Sequence, residues 1–140
     1  MTERESITGV WDGLYSFPRL RKPVPFLAVI LDLSGALSGT TQERPLEGRG
    51  AGQTLNADIA GAHRSGAVSF TKSYVDAPPS YSRPVHYDGV LNADRTEIEG
   101  RWAIAGSWSG KFLMIRSGSM AMEQAEKKLE RIPIDVGGPR

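Results

Sequence analysis

Lys72 is the side chain whose placement in this sequence makes the sharpest chemical demand. It lies in AVSFTKSYV, Ala67 to Val75, in step with Val68, Phe70 and Tyr74, so period-two alternation puts it on the apolar face of a strand. An unpaired buried cation is costly, and a lysine so placed needs a counter-charge or hydrogen bonds. Either an anionic ligand head group supplies them, or the apolar stem lies along the wall and the ammonium reaches solvent at a rim. The same alternation turns Tyr15, Tyr74 and Tyr87 inward, which sets hydroxyl tips on aromatic bodies around the lysine. An apolar lining with a few placed polar groups is the makeup of a small-molecule site.

Other candidates fall away when each is asked for its partners. The two histidines, His63 and His86, are read as surface residues, the first in a turn and the second on an outward face, and neither has metal-ligand spacing. GSWSG, Gly106 to Gly110, has Trp108 where a nucleophile elbow needs serine, and a strand follows it where the elbow needs a helix. Glu97 and Glu99 share one outward strand face with no opposing acid to complete a glycosidase pair. Gly48, Gly50 and Gly52 alternate in RPLEGRGAG without the spacing or the following helix of a phosphate loop. The absence of cysteine removes thiolate chemistry and disulfides. These residues assemble no catalytic or metal-binding constellation, and they imply no cofactor.

Charge excludes further classes. Seventeen Lys and Arg stand against 16 Asp and Glu, intermixed along the chain, so a formal charge of +1 offers no footprint for nucleic acid. The basic run RLRK, Arg19 to Lys22, is read as a solvated hairpin loop. MTERESITGVW lacks the basic and apolar regions of a secretory signal, and the longest apolar run, Val24 to Leu31, is too short to span a membrane. A cytosolic protein with one domain over residues 1–140 is the simplest expectation.

Positioning these side chains takes many short strands. Sixteen glycines and nine prolines are scattered among apolar runs, as suits many turns. Strands are expected over Ile7 to Phe17, Val24 to Ser34, Ala36 to Glu43, Leu55 to His63, Ala67 to Val75, Val85 to Leu91, Glu97 to Ala105 and Trp108 to Ser117. Val24 to Ser34 is nearly all apolar, which predicts cover on both faces. DAPPSYSRP, Asp76 to Pro84, breaks the meander and is the natural cover of a site mouth. After Gly118 the period changes: Ala121, Ala125 and Leu129 share a helical face, Ser119 is placed to cap it, Glu123 and Lys127 are an i,i+4 pair, and Pro133 stops the helix. The helix is thus expected over about 119–131, with a loose tail from 133 to 140. The fold class predicted is all-β, an eight-stranded antiparallel up-and-down β-barrel with a short C-terminal α-helix, because closure removes unpaired strand edges.

Two short motifs add a resemblance. ITGVW, with Gly9 and Trp11 as G-x-W at the start of the first strand, and FLMIR at the end of the last are similar to the calycin superfamily: lipocalins, avidins and fatty-acid-binding proteins. The resemblance implies a structural cluster of Gly9, Trp11 and Arg116, with the tryptophan at the base of the barrel and the arginine across it. Without cysteine or a signal segment, the comparison shifts toward intracellular or bacterial members. Phe112 stands where avidin-type chains carry tryptophan, which speaks against biotin, and no histidine follows His86 to hold a haem.

The sequence therefore predicts a small-molecule binding protein whose hydrophobic or amphipathic ligand, an anionic one included, is lined by Trp11, Tyr15, Phe70, Lys72, Tyr74, Tyr87 and Trp102. The alternative is a side-chain-filled, non-catalytic structural or interaction module that forms a homo-oligomer through the second strand and the helix. A cavity isomerase or cyclase, which the resemblance admits, ranks last.

Overall fold

The computed structural model describes residues 6–18, 22–45, 51–117 and 122–133. Eight strands run in chain order: β1 (Gly9–Ser16), β2 (Val24–Leu33), β3 (Ala36–Glu43), β4 (Leu55–Arg64), β5 (Ala67–Val75), β6 (Val85–Leu91), β7 (Glu97–Ala103) and β8 (Ser109–Arg116). Each pairs antiparallel with the next, and β1 pairs with β8 as well, so the sheet closes into an up-and-down barrel. One helix, α1 (Met122–Arg131), follows.

Turn chemistry fixes the register. Ser34-Gly35 and Ser65-Gly66 both take positive φ at both positions, the two-residue hairpin turn whose twist matches that of the flanking strands. In the turn between β6 and β7, the Asn92 side chain accepts from the backbone N–H groups of Thr96 and Glu97 at 2.8 and 2.9 Å. These tight turns lie at one end of the barrel. The longer connections β1–β2, β3–β4, β5–β6 and β7–β8 lie at the other end by alternation.

Inward positions follow the alternation expected of them. Trp11 and Tyr15 on β1, Phe70 and Lys72 on β5, Tyr87 on β6, Trp102 on β7 and Phe112 with Met114 on β8 are all buried. Phe17, Tyr74, Leu91 and Ile104 are partly buried against that core. At about 25 cal/mol per Å² such aromatic burial is the dominant favourable term. Gly13 makes room for it, since a Cβ there would overlap the Phe26 ring.

Several boundaries and faces differ from expectation. β7 ends at Ala103 and β8 begins at Ser109, which leaves Trp108 in the intervening loop at 48% exposure. The outer face of β2 is uncovered, because α1 packs elsewhere: Leu129 and Ile132 cover Leu14 of β1 and Leu113 and Ile115 of β8. That explains the poor alternation of the last strand, which is buried on both faces. Lys128 ties the helix to the barrel through Glu97, at 2.5 Å to each carboxylate oxygen, so Glu97 is engaged rather than freely solvated. The expected cap Ser119 and the residues from 134 onward lie outside the described residues, as do the side chains of Ala121, Glu123 and Ala125. No helix among the described residues is long and apolar enough to cross a membrane.

Candidate functional site

At the long-loop end the interior holds a buried ion pair. Lys72 Nζ lies 2.6 Å from Glu43 Oε1, and neither side chain is more than 1% exposed. Glu43 is the last residue of β3 and Lys72 lies mid-way along β5, so the pair bridges the inner face of β4 between them. Two tyrosines complete the carboxylate: Tyr15 donates to Oε2 at 2.5 Å and Tyr74 to Oε1 at 2.9 Å. Lys72 also donates toward the Tyr87 hydroxyl at 3.4 Å. Its ammonium lies 4.8 to 5.5 Å from the ring centroids of Tyr15, Phe26, Tyr74 and Tyr87, the range of cation–π attraction.

Electrostatics hold the Lys72 ammonium charged. Burial alone would pull the pKa of Lys72 down, but Tyr87 and Glu43 raise it above the ordinary lysine value. Burial, and then the Glu43 carboxylate, push the Tyr15 hydroxyl far up, burial does the same to Tyr74, and burial raises Tyr87. Tyr15 and Tyr74 therefore act as neutral donors and Tyr87 as a neutral acceptor from Lys72, and all three rings serve as apolar walls. Lys72 neither reaches solvent at a rim nor waits for an anion, because its counter-charge is Glu43.

Around the cluster stands a ring of aromatic contacts. Tyr15, Phe17 and Trp102 meet edge-to-face with centroids 5.4 to 6.0 Å apart. The 3-10 turn Pro79–Tyr81 in the β5–β6 loop brings the Tyr81 ring to 4.8 Å from Tyr74. Deeper, Phe70 stacks on Tyr87 at 4.8 Å and 10°, and Phe112 closes edge-on against both. The residues expected to line the interior are thus brought together, apart from Trp11, which lies at the opposite end.

That opposite end is closed. Arg116 stands 4.5 Å over the Trp11 ring, and Trp11 Nε1 donates to the Ile7 carbonyl at 2.9 Å. Gly9, at φ 147°, allows the approach, since a Cβ there would come within 3.1 Å of the guanidinium. A second buried pair locks the segment 6–8 across this base. Asp32 accepts from the Ile7 N–H at 3.0 Å and the Gly35 N–H at 2.9 Å, and His63 Nδ1 lies 2.9 Å from its Oδ2. His63 is therefore not a turn residue on the surface: it belongs to β4 and is 5% exposed, because the turn begins only at Ser65. His86 does face outward and meets Thr71 at 3.0 Å. Burial would raise the pKa of Asp32, yet the hydrogen bonds from His63, Ile7 and Gly35 and the His63 charge hold it below the ordinary carboxylate value.

Glu43 and Asp32 were not among the candidate residues of the sequence. Each shares its strand's inward parity with apolar neighbours, Glu43 with Leu37 and Asp32 with Ile30, and that parity is the one signal that could have flagged them. Among the described residues no group of three or more His, Asp or Glu side chains is arranged to hold a metal ion.

No protein-family model matches the chain, and no curated protein or solved structure matches it.

Two measurements check the pairs. Glu43→Gln leaves the Lys72 charge buried without its partner and should lower unfolding free energy by about 3–5 kcal/mol in urea titration. Adding Lys72→Met to that variant should recover most of the loss, because the double variant buries no charge; an unchanged single variant would remove the pair from the account. For Asp32, whose pKa is lower folded than unfolded, the contribution is present above about pH 4 and is lost as pH falls through the folded value. The gap in melting temperature between the wild type and Asp32→Asn should therefore be open above about pH 4 and close as pH falls below it.

Proposed function

We propose that this protein binds a hydrophobic or amphipathic small molecule in the barrel interior, admitted at the long-loop end. The observation that supports it most is the ring of half-buried aromatics, Phe17 and Tyr74 with Trp102 beside them, over a buried set of hydrogen-bonding groups on Tyr15, Lys72 and Tyr87. Eight-stranded barrels have the width either to fill with side chains or to hold one small ligand. Phe70 and Tyr87 form the deeper wall of this site, and Trp11 belongs to the closing base. The Trp11–Arg116 stack and the closed eight-strand meander favour a calycin-like assignment.

A second reading rests on a different surface. Leu27, Val29, Leu31 and Leu33 on the outer face of β2 are 40 to 63% exposed, with Val10 of β1 beside Val29 in register. The adjoining outer face of β3, Ala36, Ser38, Thr40 and Gln42, carries no charge. Interface cores are depleted of charge in this way, and a second copy of the chain would cover the stripe that α1 leaves bare. The two readings are compatible, since they use opposite sides of the β2 wall.

Native mass spectrometry of gently purified protein should show an added small-molecule mass that organic denaturant releases, and Phe17→Ala should reduce its occupancy at least fivefold. A chain that always emerges at its bare mass, under conditions that preserve other weak complexes, would overturn the binding reading. Light scattering at tens of micromolar should give a dimer or larger species, and Val29→Asp with Leu31→Asp should return it to monomer; a wild-type monomer would overturn the oligomer.

A further inference from the structure

The hydrogen-bonding balance of the interior specifies what kind of ligand fits, provided the binding reading holds. Glu43 already accepts from three donors, Lys72, Tyr74 and Tyr15. What the cluster leaves over is donors. A lysine ammonium carries three protons and a tyrosine hydroxyl one. Lys72 directs protons to Glu43 and Tyr87, with a third unassigned, and the Tyr87 hydroxyl gives its own proton to none of the described residues. Thr41 adds a hydroxyl that can donate as well as accept: it is 2% exposed, and its Oγ1 is the one buried side-chain polar atom without a partner among the described residues.

Thr41 belongs to the same part of the interior. It stands two residues before Glu43 on the inward face of β3, with Ala28 and Ala57 in register on either side. Those methyl groups are too short and too apolar to satisfy the hydroxyl, and a buried hydroxyl without a partner is disfavoured. The charges already cancel within Lys72 and Glu43. A carboxylate would add an uncompensated negative charge beside Glu43, whereas a neutral oxygen acceptor adds none.

We infer that the ligand is a neutral molecule with a flat apolar body and one acceptor oxygen, of the ketone, ester, amide or quinone class. Its oxygen accepts from Thr41 and the neighbouring donors, and its body lies against the aromatic ring of Tyr15, Phe17 and Trp102. This replaces the acidic ligand that Lys72 suggested from sequence.

Three matched probes test the inference by ligand-observed NMR titration: 2-acetonaphthone, its hydrocarbon counterpart 2-ethylnaphthalene, and 2-naphthoate. The ketone should bind at least tenfold more tightly than either of the others. Thr41→Val, which keeps the shape and removes the hydroxyl, should weaken the ketone about fivefold and leave 2-ethylnaphthalene unchanged, while Thr41→Ser should retain the ketone preference. Equal affinity for ketone and hydrocarbon, or tighter binding of the naphthoate, would overturn the inference and leave the binding reading intact. A ketone preference that survives Thr41→Val, in a variant that melts higher than the wild type, would assign the missing partner to an ordered water and overturn it too. Failure of all three probes to bind would overturn the inference together with the binding reading.

Discussion

Closing a barrel around an ion pair is the constraint on which the interior of this protein depends. Glu43 and Lys72 sit on strands separated by β4, and they reach each other only because the sheet curves enough to bring their side chains together across its inner face. Once both charges are out of water, each must be satisfied by the other and by nearby hydroxyls, or the desolvation cost outweighs the attraction. Tyr15 and Tyr74 meet that requirement at the carboxylate, and the rings of Tyr15, Phe26, Tyr74 and Tyr87 surround the ammonium. The aromatic content of the chain is thus concentrated where it both fills volume and tempers charge.

The two ends of the barrel are built differently. Tight serine–glycine turns and the Asn92 turn leave little room at one end, where Ile7 is held by Asp32 and Trp11 and where Arg116 covers the tryptophan. Each of those contacts spends a polar group on closure. At the other end the long connections leave Phe17 and Tyr74 half-buried, and the polar atoms are gathered below them. Helix α1 adds a third distinction by covering β1 and β8 and leaving the β2 stripe to solvent or to another copy.

Most of the fold was legible along the chain. Period-two alternation placed β5 and β6 to the residue, and the Gly35 turn before a run of small residues placed β3, because turn residues bound each of them. Where alternation fails, so did the boundaries: β8 is buried on both faces by the helix, and its start slipped from Trp108 to Ser109. The β2 run looked doubly covered because its outer leucines and valine are apolar, yet composition cannot say whether a neighbour exists. His63 was misplaced for a related reason, since the residue at the last inward position before a turn looks like part of that turn.

For the site, sequence determined which side chains face inward, Lys72 among them, because parity is local and survives any error in how strands are ordered. The Trp11–Arg116 contact was an implication of the calycin resemblance carried by two short motifs, and the stack is present in the structure. Only the tertiary structure decided what those side chains meet. Glu43 lies 29 residues from Lys72, Asp32 lies 31 residues from His63, and no local pattern links either pair. Their pairing depends on sheet curvature and strand register, which arise only when the whole barrel closes. The same closure turned Lys72 from a residue in search of an anion into one already neutralised, and left the buried hydroxyl of Thr41 without a partner among the described residues.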